Sequence, residues 1–420
     1  MVNCDQLISQ KITFTLTMKI LDIVHNDISV SYPEIHSTRL ATLFTFVSSG
    51  MKDQRVSVTY LGRGLKSLSK TTVKNDIKRA DRLIGNGHLH SERVCFYTYM
   101  AEKLIGNEQH PIILIDWSPI EGQAMLQVLR ASIPMGGRAL TLYERVHPES
   151  ELNTQKAHQS FLDALALILP EGCQPIIVTD AIYRTPWFNA VEQKSWYWIG
   201  RVRGRVCLSR DGEQWQSAYQ WFTQAKQGKS DYLGSVLYGK TAKFGCHAVL
   251  YKRKPKGRKA KKKRGGVSQR TTDKTHEKEA REPWLLVFKL PDKYMNKTKT
   301  AVKLYTQRMQ IEENFRDTKN NKLGIGLEVA NSKCAKRFEN LLLIAALMLF
   351  LLWCIGYTAV LKGMQYSLQA NTIRHRAVLS VISVAREIID DERYRIPEEE
   401  CIYTLMFLHE FVITINKLDF

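Results

Sequence analysis

The stretch LLLIAALMLFLLWCIGYTAVL, residues 341–361, is 21 residues without a charge. A helix of that length can span a bilayer. A helix that is apolar on every side has one other home, the centre of a large domain. Lys333, Lys336 and Arg337 precede the stretch and Lys362 follows it, so flanking charge chooses no orientation across a membrane. No second segment of this kind occurs in the 420 residues, a length sufficient for two or three cooperative units. The context below favours the buried core helix, with no membrane partner.

Lys and Arg outnumber Asp and Glu by 61 to 41, a net charge of +20. An excess of this size points to a polyanionic partner, nucleic acid or an anionic membrane surface. Part of it is local: in KRKPKGRKAKKKR, 252–264, ten of thirteen residues are basic and none is acidic. This run is expected to bind DNA non-specifically. Eight cysteines are scattered with no CxxC pair, which offers neither a zinc site nor a disulfide framework and suits a reducing compartment. The N-terminus lacks the pattern of a signal peptide. A cytoplasmic, nucleoid-associated protein is the expectation.

The first 105 residues read as helical. In TTVKNDIKRADRLI, 71–84, Val73, Ile77, Ala80 and Ile84 recur at helical spacing. Lys70, Lys74, Lys78 and Arg82 repeat every fourth residue as a basic stripe that leans toward phosphate contact. From residue 110 the pattern becomes strand-like. PIILID (111–116) and PIIVTD (175–180) are short apolar runs that each end on Asp. Between them lie two further strands, 123–134 and 138–146, turning at Gly136 and Gly137, and a helix over 155–169. Thr185 is expected to cap a helix starting at Pro186. YWIGRVRGRVCL and GCHAVLYKRK read as paired strands within an insertion, WLLVFKL (284–290) resumes the apolar strands, and a helix covers 305–319. The fold class is mixed α/β. The expected domains are a helical DNA-binding part (1–105), a core in two pieces (106–200 and 283–363), a β-rich insertion (201–282) and a helical C-terminal region (364–420).

Within YTQRMQIEENFRDTK, Tyr305, Arg308, Glu312 and Lys319 would fall inside an arc of ~60° on one helix. Asp116 and Asp180 close two apolar strands, where side chains converge on the edge at which active sites form. With Glu312 they make three carboxylates, a set able to hold two hard divalent ions by oxygen ligation. Two such ions clamp the attacking and leaving oxygens of a phosphodiester. Arg308 and Lys319 beside them would bind backbone phosphates. The chemistry this permits is phosphoryl transfer on nucleic acid.

The pattern Y-x2-R-x3-E-x6-K, after two strand-end aspartates and a large insertion, resembles the insertion-sequence-four family of DDE transposases. IILIDWS, LRASIPMGGRALTLYE (129–144), IIVTDAIYRTPWF, WYWIGRVRG (196–204), EPWLL (282–286) and YTQRMQIEENFRD (305–317) carry the resemblance, which extends from about Met18 to near the C-terminus. It implies a ribonuclease H-like core with Asp116, Asp180 and Glu312 as catalytic metal ligands for two Mg²⁺ ions, with Mn²⁺ able to substitute. It also implies cut-and-paste transposition through a DNA hairpin, acting as a homodimer on the terminal inverted repeats of its own element and on target DNA. Tyr305, Arg308 and Lys319 would contact DNA near the hairpin, and Trp284 would stack where a base is flipped. The chain departs from the family's pattern after the second Asp, where Ile182 stands at a usual Gly. That departure keeps open the alternative of a catalytically decayed relative that only binds DNA.

Overall fold

The computed structural model describes residues 20–417 apart from 67–68, 121–125, 255–269, 272–280, 323, 331, 333, 371, 374, 390, 392 and 395. Met18 and residues 255–264 of the basic run lie outside the described residues. The chain divides into two compact units. The first comprises Met1–Pro111, Ile115–Cys173 and Gln310–Lys417; the second is built from Ile112–Leu114 and Gln174–Met309.

The first unit is organised around the helix Ala335–Leu361, which contains the apolar stretch. Its most apolar window is 94% buried, covered by the helices Ser37–Asp53, Gly87–Ile105, Val381–Ile389 and Glu398–Met406 and by the strand Ala139–Pro148. The unit's own elements therefore supply the apolar surroundings that the sequence demands. Each buried Leu there contributes about 1.5–3 kcal/mol relative to exposure. The helix also carries polar ties near its start. Glu339 accepts from the Val146 amide (2.9 Å) and pairs with Arg93 (2.8 Å) and His90 (2.6 Å). Asn340 donates to the Ile84 carbonyl at 2.9 Å, the end of the helix Val73–Ile84. These bonds lock the N-terminal helices to the core.

Three strands complete this unit: the end of β1 (Ile112–Pro119), β2 (Leu126–Pro134) and β3 (Ala139–Pro148). β2 and β3 form an antiparallel hairpin whose turn places Gly136 and Gly137 at φ 68° and 107°, a region glycine enters without strain. The helix Gln155–Ile168 follows, capped by the Thr154 hydroxyl.

In the second unit the start of β1 pairs in parallel with β4 (Ile176–Val178), and β4 in parallel with β5 (Tyr197–Val202). The short apolar runs are strands buried on both faces, as parallel sheets require. β6 (Cys207–Ser209), β7 (Gln216–Ser217), β8 (Ser230–Tyr238), β9 (Phe244–Tyr251) and β10 (Trp284–Lys289) extend the sheet in the order β5-β10-β9-β8-β6-β7. The strands of the expected insertion thus belong to the same sheet as β4 and β5.

Three local expectations are corrected. β5 and β9 do not pair with each other; β10 lies between them, antiparallel to both. Arg184, not Thr185, occupies the N-cap of Thr185–Glu192, and no side chain caps it. The helix over 305–319 is interrupted. One helix ends at Gln307 and another starts at Met309, because the Arg308 amide bonds to the Tyr305 carbonyl three residues back (3.1 Å) in place of the regular four. Tyr305 and Glu312 therefore stand on different helices.

Candidate active site

Asp116 lies in β1 and is half-buried; one carboxylate oxygen accepts from the next amide, Trp117, at 2.9 Å. Behind it the Trp117 indole donates to His158 at 3.3 Å and packs edge-on to His147, with ring centroids 5.3 Å apart. Burial, reinforced by the neighbouring His147, pulls His158 down to about 4, so its ring stays neutral and can accept that bond. Lys319 donates to the Ser118 hydroxyl at 2.6 Å and to the Pro119 carbonyl. Its ammonium is thereby fixed at the end of the strand that carries Asp116.

Glu312 is exposed in the first turn of Met309–Lys319, where the amide dipoles favour a carboxylate. The opposite side of this helix is anchored. Arg130 and Glu144, directly paired across β2 and β3, form a buried ion pair at 2.6 Å. The same guanidinium donates to Asn314 (2.7 Å) and Thr318 (3.0 Å) of the helix. Gln310 accepts from the amides of Met135 (3.0 Å) and Gly137 (2.9 Å), pinning the hairpin turn to the helix start. A buried Arg costs several kcal/mol unless its donors are met; here they are met by the element that presents Glu312. The motif LRASIPMGGRALTLYE is the supporting wall of that carboxylate.

The second unit holds Asp180, Trp284, Tyr305 and Arg308. Asp180 follows β4, and one of its oxygens accepts from the Ile182 amide at 2.8 Å. Ile182 has ordinary backbone and is 37% exposed, so the turn has no conformational need for glycine. Tyr305 is only 4% exposed. Burial pushes its phenol up, against the nearby Arg308 and Arg201 cations, while the Asp180 charge adds to the rise. Trp284 meets Tyr305 edge to face at 4.9 Å and Tyr251 at 5.6 Å. Arg201, which also donates to Glu282 at 3.3 Å, hydrogen-bonds the phenol. Sequence reasoning passed over Arg201, Arg130, Gln310 and Asn314. The signal for Arg130 was a charge inside an otherwise apolar strand.

Asp116, Glu312 and Lys319 thus belong to the first unit, and Asp180, Trp284, Tyr305 and Arg308 to the second. Among the described residues no three His, Cys, Asp or Glu side chains are grouped closely enough to hold an ion. Lys70, Lys74, Lys78 and Arg82 are all exposed, but Lys70 precedes the helix capped by Thr72, so only three of the four stand on it.

Residues 107–351, more than half of the chain, match the family model described as the transposase DDE domain. The chain belongs to the DDE transposase family. Membership gives it a role in DNA transposition, and the family's enzymes cut DNA with divalent metal ions. Comparison with curated proteins gives no match. The matched span contains Asp116, Asp180 and Glu312, together with the hairpin that supports the Glu312 helix of this transposase.

Proposed function

We propose that this DDE transposase is a cut-and-paste enzyme of the insertion-sequence-four type, with Asp116, Asp180 and Glu312 as its catalytic carboxylates on a ribonuclease H-like core. The observation that carries the reading is a register. Leu114 pairs with Val178 in parallel strands, and Asp116 and Asp180 each follow two residues later. Glu312 would complete the set; it is the exposed acid of a helix anchored by buried polar bonds.

The donor set is all carboxylate oxygen, which suits Mg²⁺ and its substitute Mn²⁺. Two bound ions would activate water and stabilise the charge on the attacking and leaving oxygens. Lys319, held at the end of β1, and Arg308 supply cations for the phosphates flanking the cut. Trp284 offers an aromatic surface for an extruded base, with Tyr305 and Arg201 fixing its orientation. The sequence of steps is nicking at each element end, hairpin formation by the freed 3′-OH, hairpin opening and joining to target DNA. A homodimer on paired ends and the inverted repeats as recognition sequence complete the reading. The bacterial nucleoid would be its place of action.

The test is cleavage of duplexes carrying the inverted repeats that flank the gene, in Mg²⁺. Glu312→Ala is expected to lower nicking by at least ~10³-fold with end binding retained. Nicking by Glu312→Ala at the wild-type rate would remove Glu312 from the site. Specific binding by the wild type without any nicking would identify a DNA-binding remnant.

A further inference from the structure

One face of the second unit's sheet has an opening that the catalytic reading leaves unused. Residues paired across antiparallel strands point to the same side. Ser235, His247 and Phe288 are such a row across β8, β9 and β10, and Leu237 with Gly245 forms the next. Beside these rows lies a groove of about 310 Å³ whose lining includes Arg210, Ser235, Leu237, Gly245, His247 and Lys289. The volume is in the range of small-ligand sites.

Three features give the groove a chemical preference. Apart from the buried Cys246 thiol, its side chains with ionisable heads, Arg210, Lys289 and His247, are all of the basic type. Lys289 shares its charge with Glu192 at 3.0 Å, and Lys297 stands near His247 opposite Asp292, so the surroundings are mixed while the lining is basic. An aromatic row leads out of the core: Phe288 stacks on His247 and His247 on Tyr232, with ring planes within 29° and 28°. Tyr232 ends that row at 47% exposure, its hydroxyl 2.8 Å from His247 Nδ1. Lastly, a Cβ placed on Gly245 would meet nothing within 4 Å, so the floor of the groove is open.

We propose that this groove binds an unpaired DNA strand, with a backbone phosphate between Arg210 and Lys289 and a base stacked on Tyr232. Basic side chains beside an exposed aromatic platform are how proteins hold single strands without reading sequence. A duplex presents its phosphates but not its base faces, so it cannot use the platform. The proposal rests on the DNA-handling role above and adds a holding site for a strand released during cutting.

Gly245→Val is the probe. Its Cβ meets nothing within 4 Å on an ordinary strand backbone and the branched side chain intrudes on the groove, so the fold is expected to be retained. Anisotropy of a labelled 12-nucleotide oligothymidine with the full chain is the measurement, beside gel-shift of a duplex bearing an element end. Gly245→Val is expected to weaken single-strand affinity at least 5-fold, Arg210→Gln by 3–10-fold, and neither to change duplex binding by more than 2-fold. Unchanged single-strand affinity in Gly245→Val overturns the groove. A wild type that binds the duplex but not the single strand also overturns it and leaves the transposase reading standing. A wild type that binds neither DNA overturns both.

Discussion

Two buried ionisable groups in the first unit pull stability in opposite directions with pH. Asp317, on the helix of Glu312, is pushed up to about 6 by burial, although Arg138, Arg386 and Arg316 act against the rise. Between pH 4 and 6 the unfolded chain has already released this proton, so Asp317 makes stability fall as pH rises. His158 is lowered to about 4 by burial. Over the same window the unfolded chain binds its proton and the folded chain does not, so His158 makes stability rise with pH. Each effect is worth up to about 3 kcal/mol across the window, at 1.4 kcal/mol per unit, and in the wild type they offset. Asp317→Asn is expected to expose the His158 slope, gaining stability from pH 4 to 6, and His158→Gln the reverse. Urea midpoints at pH 4.5 and 6 decide it; parallel slopes in the two variants would refute the pairing. None of this was legible in the sequence, because Asp317 and His158 look like surface residues until packing removes their water.

At the scale of elements the sequence was most informative where one pattern had one physical solution. PIILID and PIIVTD could only be buried strands, and the apolar stretch had to be covered. It failed where two solutions compete within a few residues. Nothing in QRM, 307–309, announces that the Arg308 amide will reach back three residues instead of four, yet that choice divides the expected helix into two. Strand partners were equally hidden: β5 and β9 share a texture, but β10 comes between them from farther along the chain. Close helix contact was hidden too. A Cβ on Gly356 would come within 2.0 Å of the Val381 carbonyl oxygen, so the core helix touches Val381–Ile389 through bare backbone. Ala at a helix interior position gains about 1 kcal/mol in propensity over Gly, but backbone cannot yield as a side chain does. Gly356→Ala is expected to cost about 1–3 kcal/mol net, the range for overpacking, read as a lower urea midpoint at unchanged m. A stabilised variant would show that the helix Val381–Ile389 shifts freely.

For the whole molecule the governing quantity is charge, and the structure sharpens where it acts. The stripe Lys70, Lys74, Lys78 and Arg82 has two acids interspersed, Asp76 and Asp81, which in sequence seem to dilute it. Asp76 is 1% exposed and accepts from the hydroxyls of Ser69 (2.9 Å) and Thr71 (2.7 Å). Asp81 is paired with Arg337. Asp76 is therefore buried within the fold and Asp81 is engaged by Arg337 at the surface, while the four cations of the stripe are exposed. A polyanion that binds there releases counterions, about 0.9 per phosphate neutralised on duplex DNA. Replacing all four with Gln is expected to flatten the slope of log affinity against log salt by up to ~3.6. Deleting residues 252–264 should flatten it separately, since that run is remote in sequence from the stripe. Duplex binding titrated from low to moderate salt separates the two contributions. A slope unchanged by the four substitutions would mean that the stripe is solvated surface and that the duplex is gripped elsewhere. A slope that falls with a uniform loss across unrelated duplexes would assign the N-terminal helix to backbone contact, leaving sequence choice to other residues.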